Sequence, residues 1–200
     1  MKRKILASLL GVAGSIAMVA SSHGQGSVVF ASYQADVNAP VTFGVTRNTG
    51  GINGVAGEVV GSEFTADLLY SLNGGATWTL LSQAAAGAGT AYPTAFLSTD
   101  GNTANGAGYF VGPSVTIPGY SSGSVQFQVE AFNGTSYSAA NTTWNGLSPI
   151  LTMPSLATGT TQPGDMVGLQ GFTVNPVPEP GIFALAGLGA AALMGIRRKK

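Results

Sequence analysis

The chain has 200 residues, enough for one domain plus targeting segments, and only 8% of them are charged, far below the usual quarter. The formal net charge is zero, but Lys2, Arg3, Lys4, Arg197, Arg198, Lys199 and Lys200 hold every cation except Arg47. The stretch between the ends sets seven acids (Asp36, Glu58, Glu63, Asp67, Asp100, Glu130 and Asp165) against that one cation, a net −6. Such a body excludes nucleic acid as a partner, because phosphate contacts need Lys or Arg. The absence of cysteine excludes disulfides, thiol catalysis and Cys-zinc sites.

Residues 1–24 have the plan of a secretory signal: a charged start at Lys2–Lys4, an apolar stretch over 5–20 that predicts a signal helix, and a polar end over 21–24. Small Ser22 and Gly24 place the cut after Gly24, with a cut after Ser21 or an uncleaved anchor as alternatives. The partners this implies are signal peptidase and the secretion translocon. The single histidine, His23, leaves with the signal, so no Ser-His-Asp arrangement forms in the mature chain.

The body, 25–175, is rich in Gly, Thr, Ser, Ala and Asn, and its apolar residues alternate. Strands are expected over 27–33, 41–46, 64–72, 77–82, 95–98, 109–111, 124–132 and 167–174. The clearest is SVQFQVEAF, in which Val125, Phe127, Val129 and Ala131 point one way and Gln126, Gln128 and Glu130 the other. Residues 83–90 (QAAAGAGT) and 158–164 read as loops, and no body segment has helical spacing. Short strands joined by Gly- and Asn-rich turns predict an all-β fold, a sandwich or jelly roll.

Three features of the body bear on chemistry. Ser71-Leu72-Asn73-Gly74-Gly75-Ala76-Thr77-Trp78 has the spacing of an Asp-box hairpin with Asn73 in the Asp position. It is a single copy without the repeats of a propeller, so a structural turn is expected. Asp100 to Gly106 (DGNTANG) has oxygen ligands but lacks the fifth-position ligand and the closing Glu of a calcium loop, so a plain turn is expected and no metal or other cofactor. A glycosidase needs two carboxyls about 5–10 Å apart. Glu58, Glu63 and Asp67 are close in sequence, but solvated charges on turns and strand faces account for them. Trp78, Trp144, Tyr33, Tyr70, Tyr92, Tyr109, Tyr120 and Tyr137 would form a sugar-stacking platform if several shared one exposed face, whereas core and turn packing accounts for most of them more simply.

The tail, 176–200, has three parts in fixed order. Pro178, Glu179 and Pro180 make a stiff segment that cannot join a sheet. A wholly uncharged run follows, including Ile182, Phe183, Leu185, Leu188, Leu193 and Ile196. Arg197, Arg198, Lys199 and Lys200 close the chain. Pro180 suits the first turn of a helix, Glu179 its positive end and the terminal cations its negative end. The apolar part would be about 22–24 Å long as a helix, short for a bilayer core of about 30 Å, and snorkelling cations make up the difference. A single C-terminal transmembrane helix is therefore expected, its basic end in the cytoplasm and Pro178-Glu179-Pro180 on the far side of the membrane.

VPEP, an apolar helix and a basic end, in that order, resemble the PEP-CTERM sorting signal of Gram-negative bacteria. The resemblance covers about the last 24 residues. It implies that Pro178, Glu179 and Pro180 are recognised by an exosortase, a peptidase-like membrane enzyme, and it links the protein to species that make exopolysaccharide and biofilms. Gly181 stands where many members carry Ser or Thr. More loosely, QGSVVF, PVTFG, YSLNGGATW and VGLQGFTVNPVPEP resemble a group of PEP-CTERM proteins, mostly from Verrucomicrobia, a likeness that brings no activity with it.

The expected protein is exported without catalytic activity of its own. It would be held in the inner membrane by its tail before processing and would then belong to the cell surface or extracellular matrix. The alternatives are a carbohydrate-binding module for exopolysaccharide, betrayed by an exposed aromatic row, and a glycosidase-like enzyme, betrayed by two carboxylates facing each other across a groove.

Overall fold

The computed structural model describes residues 25–83, 92–97, 106–138 and 141–178. The signal segment 1–24, most of the 83–90 loop, Asp100 with the candidate calcium residues up to 105, and the tail from Glu179 onward lie outside the described residues, as do the signal helix and the C-terminal helix.

Strands form the regular elements, sixteen among the described residues. The larger sheet runs in the order β4 (Val41–Phe43), β16 (Phe172–Pro176), β12 (Trp144–Leu147), β11 (Val125–Asn133), β7 (Phe64–Ser71) and β8 (Thr79–Leu80). In addition β13 (Leu151–Met153) pairs with β11 and β9 (Thr94–Ala95) with β7. The smaller sheet is built on β1 (Gly26–Ala31), flanked by β10 (Val111–Ile117) and β14 (Ala157–Thr158), with β15 (Gly164–Asp165) alongside β1 in parallel. Two short hairpins stand apart: β2 (Tyr33–Gln34) with β3 (Val37–Asn38), and β5 (Arg47–Thr49) with β6 (Ile52–Gly54). The body is thus all-β, and two sheets over one core are consistent with a sandwich.

The centre of the larger sheet is the antiparallel pair β7–β11, in register from Phe64↔Asn133 to Ser71↔Gln126. Its alternation decides which face is buried. Phe64, Ala66 and Leu68 of β7 and Val125, Phe127, Val129 and Ala131 of β11 are fully buried on the inner face. Val28 and Phe30 of β1 and Val115 and Ile117 of β10 belong to the same core from the smaller sheet. Each buried Val, Leu, Ile or Phe among them contributes about 1.5–3 kcal/mol. A chain of ring contacts ties the layers together: Trp144 to Phe43 (5.1 Å), Phe43 to Phe64 (5.7 Å), Phe64 to Phe96 (6.5 Å), Phe96 to Phe110 (5.5 Å) and Phe110 to Phe30 (4.8 Å). The tilted and edge-on geometries are those that aromatic quadrupoles favour.

Several expectations need correction. The strand expected at 109–111 in fact runs from Val111 to Ile117, through Gly112 and Pro113, which break the alternation. The register with β1 shifts between Val29 and Ala31, and this bulge accommodates a proline that has no N–H for the ladder. The strand expected at 167–174 begins only at Phe172. Before it, Gly168 takes φ +94° and Leu169 N–H closes a turn on Met166 O at 3.0 Å. The 158–164 loop is flanked by β14 and β15, both paired with β1. The β5–β6 hairpin was not expected at all. Gly50 and Gly51, at φ +60° and +78°, make its two-residue turn, and Gly-Gly between short strands was the available signal.

Candidate functional site

Four places in the described body carry the residues that could act. The first is the turn between β7 and β8. Asn73 organises it: Ser71 Oγ donates to Asn73 Oδ1 (2.8 Å), Thr77 N–H donates to the same oxygen (3.0 Å), and Asn73 Nδ2 donates to Thr77 Oγ1 (2.8 Å). Gly75 N–H donates to Ser71 Oγ at 2.9 Å, with Gly74 and Gly75 in the left-handed region at φ +69° and +88°. An amide oxygen thus does the turn-holding work of the box carboxylate, and the segment is a structural turn.

The second is a pair of carboxylates that sequence proximity did not suggest. Asp67 and Glu130 lie directly opposite each other in the β7–β11 register, on the outer face of the larger sheet. Glu58 and Glu63, the neighbours of Asp67 in sequence, are exposed, and neither is its partner in the β7–β11 register. Asp67 is buried and Glu130 partly so, and no cation is paired with either among the described residues. Burial pushes the Asp67 carboxyl up to about 6. Burial first, then the Asp67 charge, pushes Glu130 up to about 7. Two tyrosines feel the pair. Burial raises the Tyr137 phenol, with Glu130 adding to it. Tyr92 is raised mainly by burial; its hydroxyl accepts Leu68 N–H at 2.6 Å, filling the edge of β7 between β8 and β9.

The third and fourth are two surface depressions. One, of about 650 Å³, runs beside β12 and β16 and is lined by Tyr137, Asn145, Leu147, Thr173 and Asn175 among others. The other, of about 600 Å³, is formed by the β2–β3 hairpin, from Tyr33 to Asn38. Asp67 and Glu130 line neither.

The eight aromatics do not share a face. Trp144, Tyr70, Tyr92, Tyr109 and Tyr120 are buried, Trp78 and Tyr137 are half-buried, and only Tyr33, at 56%, is exposed. Packing claims most of them: Trp144 Nε1 donates to Thr49 O, and Tyr120 Oη accepts Leu156 N–H. Among the described residues no three His, Cys, Asp or Glu gather to hold a metal, and no helix is long and apolar enough to cross a membrane.

Of the tail, the described part is the exit. β16 ends at Pro176, paired with Trp144 of β12, and Val177 N–H donates to Thr143 O at 2.9 Å. Pro178 follows, exposed. The remaining sorting residues Glu179 and Pro180, the apolar run and the basic end lie outside the described residues.

A β-rich body that passes straight from a sheet strand into a proline-stiffened segment, an uncharged run and four cations belongs to the class of proteins that carry a C-terminal sorting segment. The segment itself is a PEP-CTERM protein-sorting motif, matched over residues 176–199. The match begins at the last residue of β16. Comparison with curated proteins and with solved structures finds no match.

Proposed function

We propose that this is an exported, exosortase-processed protein of the cell surface or extracellular matrix, with a sandwich-like body and no catalytic activity of its own. The observation that carries this reading is the sorting motif at 176–199, which follows directly on the last strand of the body. The uncharged run can span a bilayer because a helix satisfies its own backbone, and the four terminal cations hold the end in the cytoplasm. Pro178-Glu179-Pro180 then lies on the outer side, within reach of an exosortase. The partners are signal peptidase, the secretion translocon, the membrane and the exosortase. Two features support a non-catalytic body: its only acid–base groups of the right kind are carboxylates, and the one close pair sits side by side on a sheet face and lines neither depression.

Two variants expressed in a host with an exosortase test this. Deletion of residues 181–200 should release the body in soluble form. Replacement of Pro178, Glu179 and Pro180 by alanine should leave a full-length species in the membrane fraction. A truncated protein that stays with membranes, or an alanine variant processed like the parent, would overturn the reading. A second reading, binding of a matrix polysaccharide by the body, is favoured by one observation, the exposed Tyr33 beside a polar depression.

A further inference from the structure

We infer that the β2–β3 hairpin is a subsite for one sugar unit of a neutral polysaccharide, with Tyr33 as its stacking platform. This rests on the carbohydrate-binding reading and adds to it the place, the contacts and the charge of the ligand.

The hairpin is held from below so that its upper side is free. Val37 is buried in the core, and Ala39 N–H donates to Ser32 O at 2.9 Å, which closes the base. Tyr33 and Asn38 are directly opposite in the pair. The Tyr33 ring leans on Tyr109, with centroids 5.1 Å apart and planes at 54°, while Tyr109 itself is buried. Support from one side fixes the Tyr33 ring and leaves its other surface to solvent. An aromatic ring held in this way offers a preset flat face to a ligand.

The polar groups around it suit hydroxyls. Tyr109 Oη donates to Asn38 Oδ1 at 2.7 Å, which takes up the amide oxygen and turns Asn38 Nδ2 away as a donor. Asp36 at the tip is exposed and accepts. A pyranose has an apolar C–H face for the ring and hydroxyls at its rim for such donors and acceptors. The depression, about 600 Å³, lies within the range of small-ligand sites. Charge narrows the choice. Among the described residues Asp36 is the only charge lining the site, and the body carries seven acids against Arg47, so uronate- or sulfate-bearing polymers are repelled. A single platform binds weakly, and many copies on one surface would supply the avidity that a polymer contact needs.

Native gels cast with soluble neutral glucans, galactomannan or xylan, and with alginate or hyaluronate as acidic controls, test the inference. The full chain is run in a detergent without a sugar headgroup. Retardation is expected in at least one neutral gel and in neither acidic gel. Tyr33→Ala should weaken the apparent affinity at least tenfold and Asn38→Ala about threefold; Tyr33→Phe should restore most of the retardation that Tyr33→Ala loses, and Tyr137→Ala should behave like the parent. Circular dichroism on each variant separates loss of binding from loss of fold. If neutral glycans retard the parent and Tyr33→Ala alike, the subsite is wrong while glycan binding stands. If Tyr137→Ala alone abolishes retardation, the site is the β12–β16 depression. If no glycan retards the parent, both the subsite and the carbohydrate-binding reading fail, and preference for the acidic polymers would overturn the proposed ligand class.

Discussion

Asp67 and Glu130 set two like charges opposite each other on neighbouring strands, an arrangement that costs stability when both are ionised. The ordinary carboxyl values are about 4 in an unfolded chain. In the folded body both are raised, to about 6 and about 7. A raised folded value means that the contribution to stability is fully present below about pH 4 and is lost as pH rises through those two values. The body is therefore expected to be more stable at pH 4.5 than at pH 8, opposite to the usual acid lability of paired carboxylates. Urea midpoints measured across that range check the sign. The double variant Asp67→Asn, Glu130→Gln should flatten the profile and be the more stable protein at pH 8. Identical profiles for parent and variant would place the pH dependence elsewhere. This pair was not legible in the sequence. Each residue reads as an ordinary solvated strand charge, and only the β7–β11 register brings them together. Tyr33 was named in advance among eight aromatics, but alternation could not tell it from Tyr109, because the hairpin that exposes one buries the other.

Among the elements, the connection from β11 to β12 depends on one side chain. Asn133 Oδ1 accepts from Thr142 Oγ1 (2.8 Å), Thr143 N–H (3.1 Å) and Trp144 N–H (2.6 Å), and Asn133 Nδ2 donates to Thr143 Oγ1 (2.8 Å). The bend delivers Trp144 into the core, where it is fully buried against Phe43. Asn133→Ala strands two backbone donors and should cost about 2–4 kcal/mol; Asn133→Asp keeps the acceptor and should cost about 1 kcal/mol. Trp144→Ala should cost about 3–5 kcal/mol through the cavity it leaves. Chemical denaturation at constant pH ranks the three. Elements whose residues alternate cleanly, β7 and β11 above all, were readable within a residue or two. Those that were not have visible causes. Gly112 and Pro113 disguise β10 with a bulge, and β5, β6, β14 and β15 are two or three residues long and too short for a period to show. Their pairing comes from the sheets around them.

At the scale of the whole molecule, the two ends of the body are strands in different sheets. β1 begins at Gly26 and takes partners on both sides, so a cut after Gly24 leaves a single residue before the smaller sheet starts. Sequencing of the exported protein should find an N-terminus near Gln25, and a start at Met1 would count against a cleaved signal. The sorting motif was legible because its signal is local and compositional, three parts in one contiguous run. The body's topology was not, since the long-range partners of β1, β16 and β4 have no local signature. The exit of the tail from β16 has a mechanical consequence. β16 is an interior strand, parallel to β4 on one side and antiparallel to β12 on the other, and its own Val174 is fully buried. A protein tethered by its C-terminus feels drag as tension along this strand. The rungs to β4 and β12 then bear the load together in shear, whereas an edge strand would peel away one rung at a time. A pull on the tail would thus load β16 one strand in from the edge of the larger sheet, and the tether would give only when its ladders to β4 and β12 fail together.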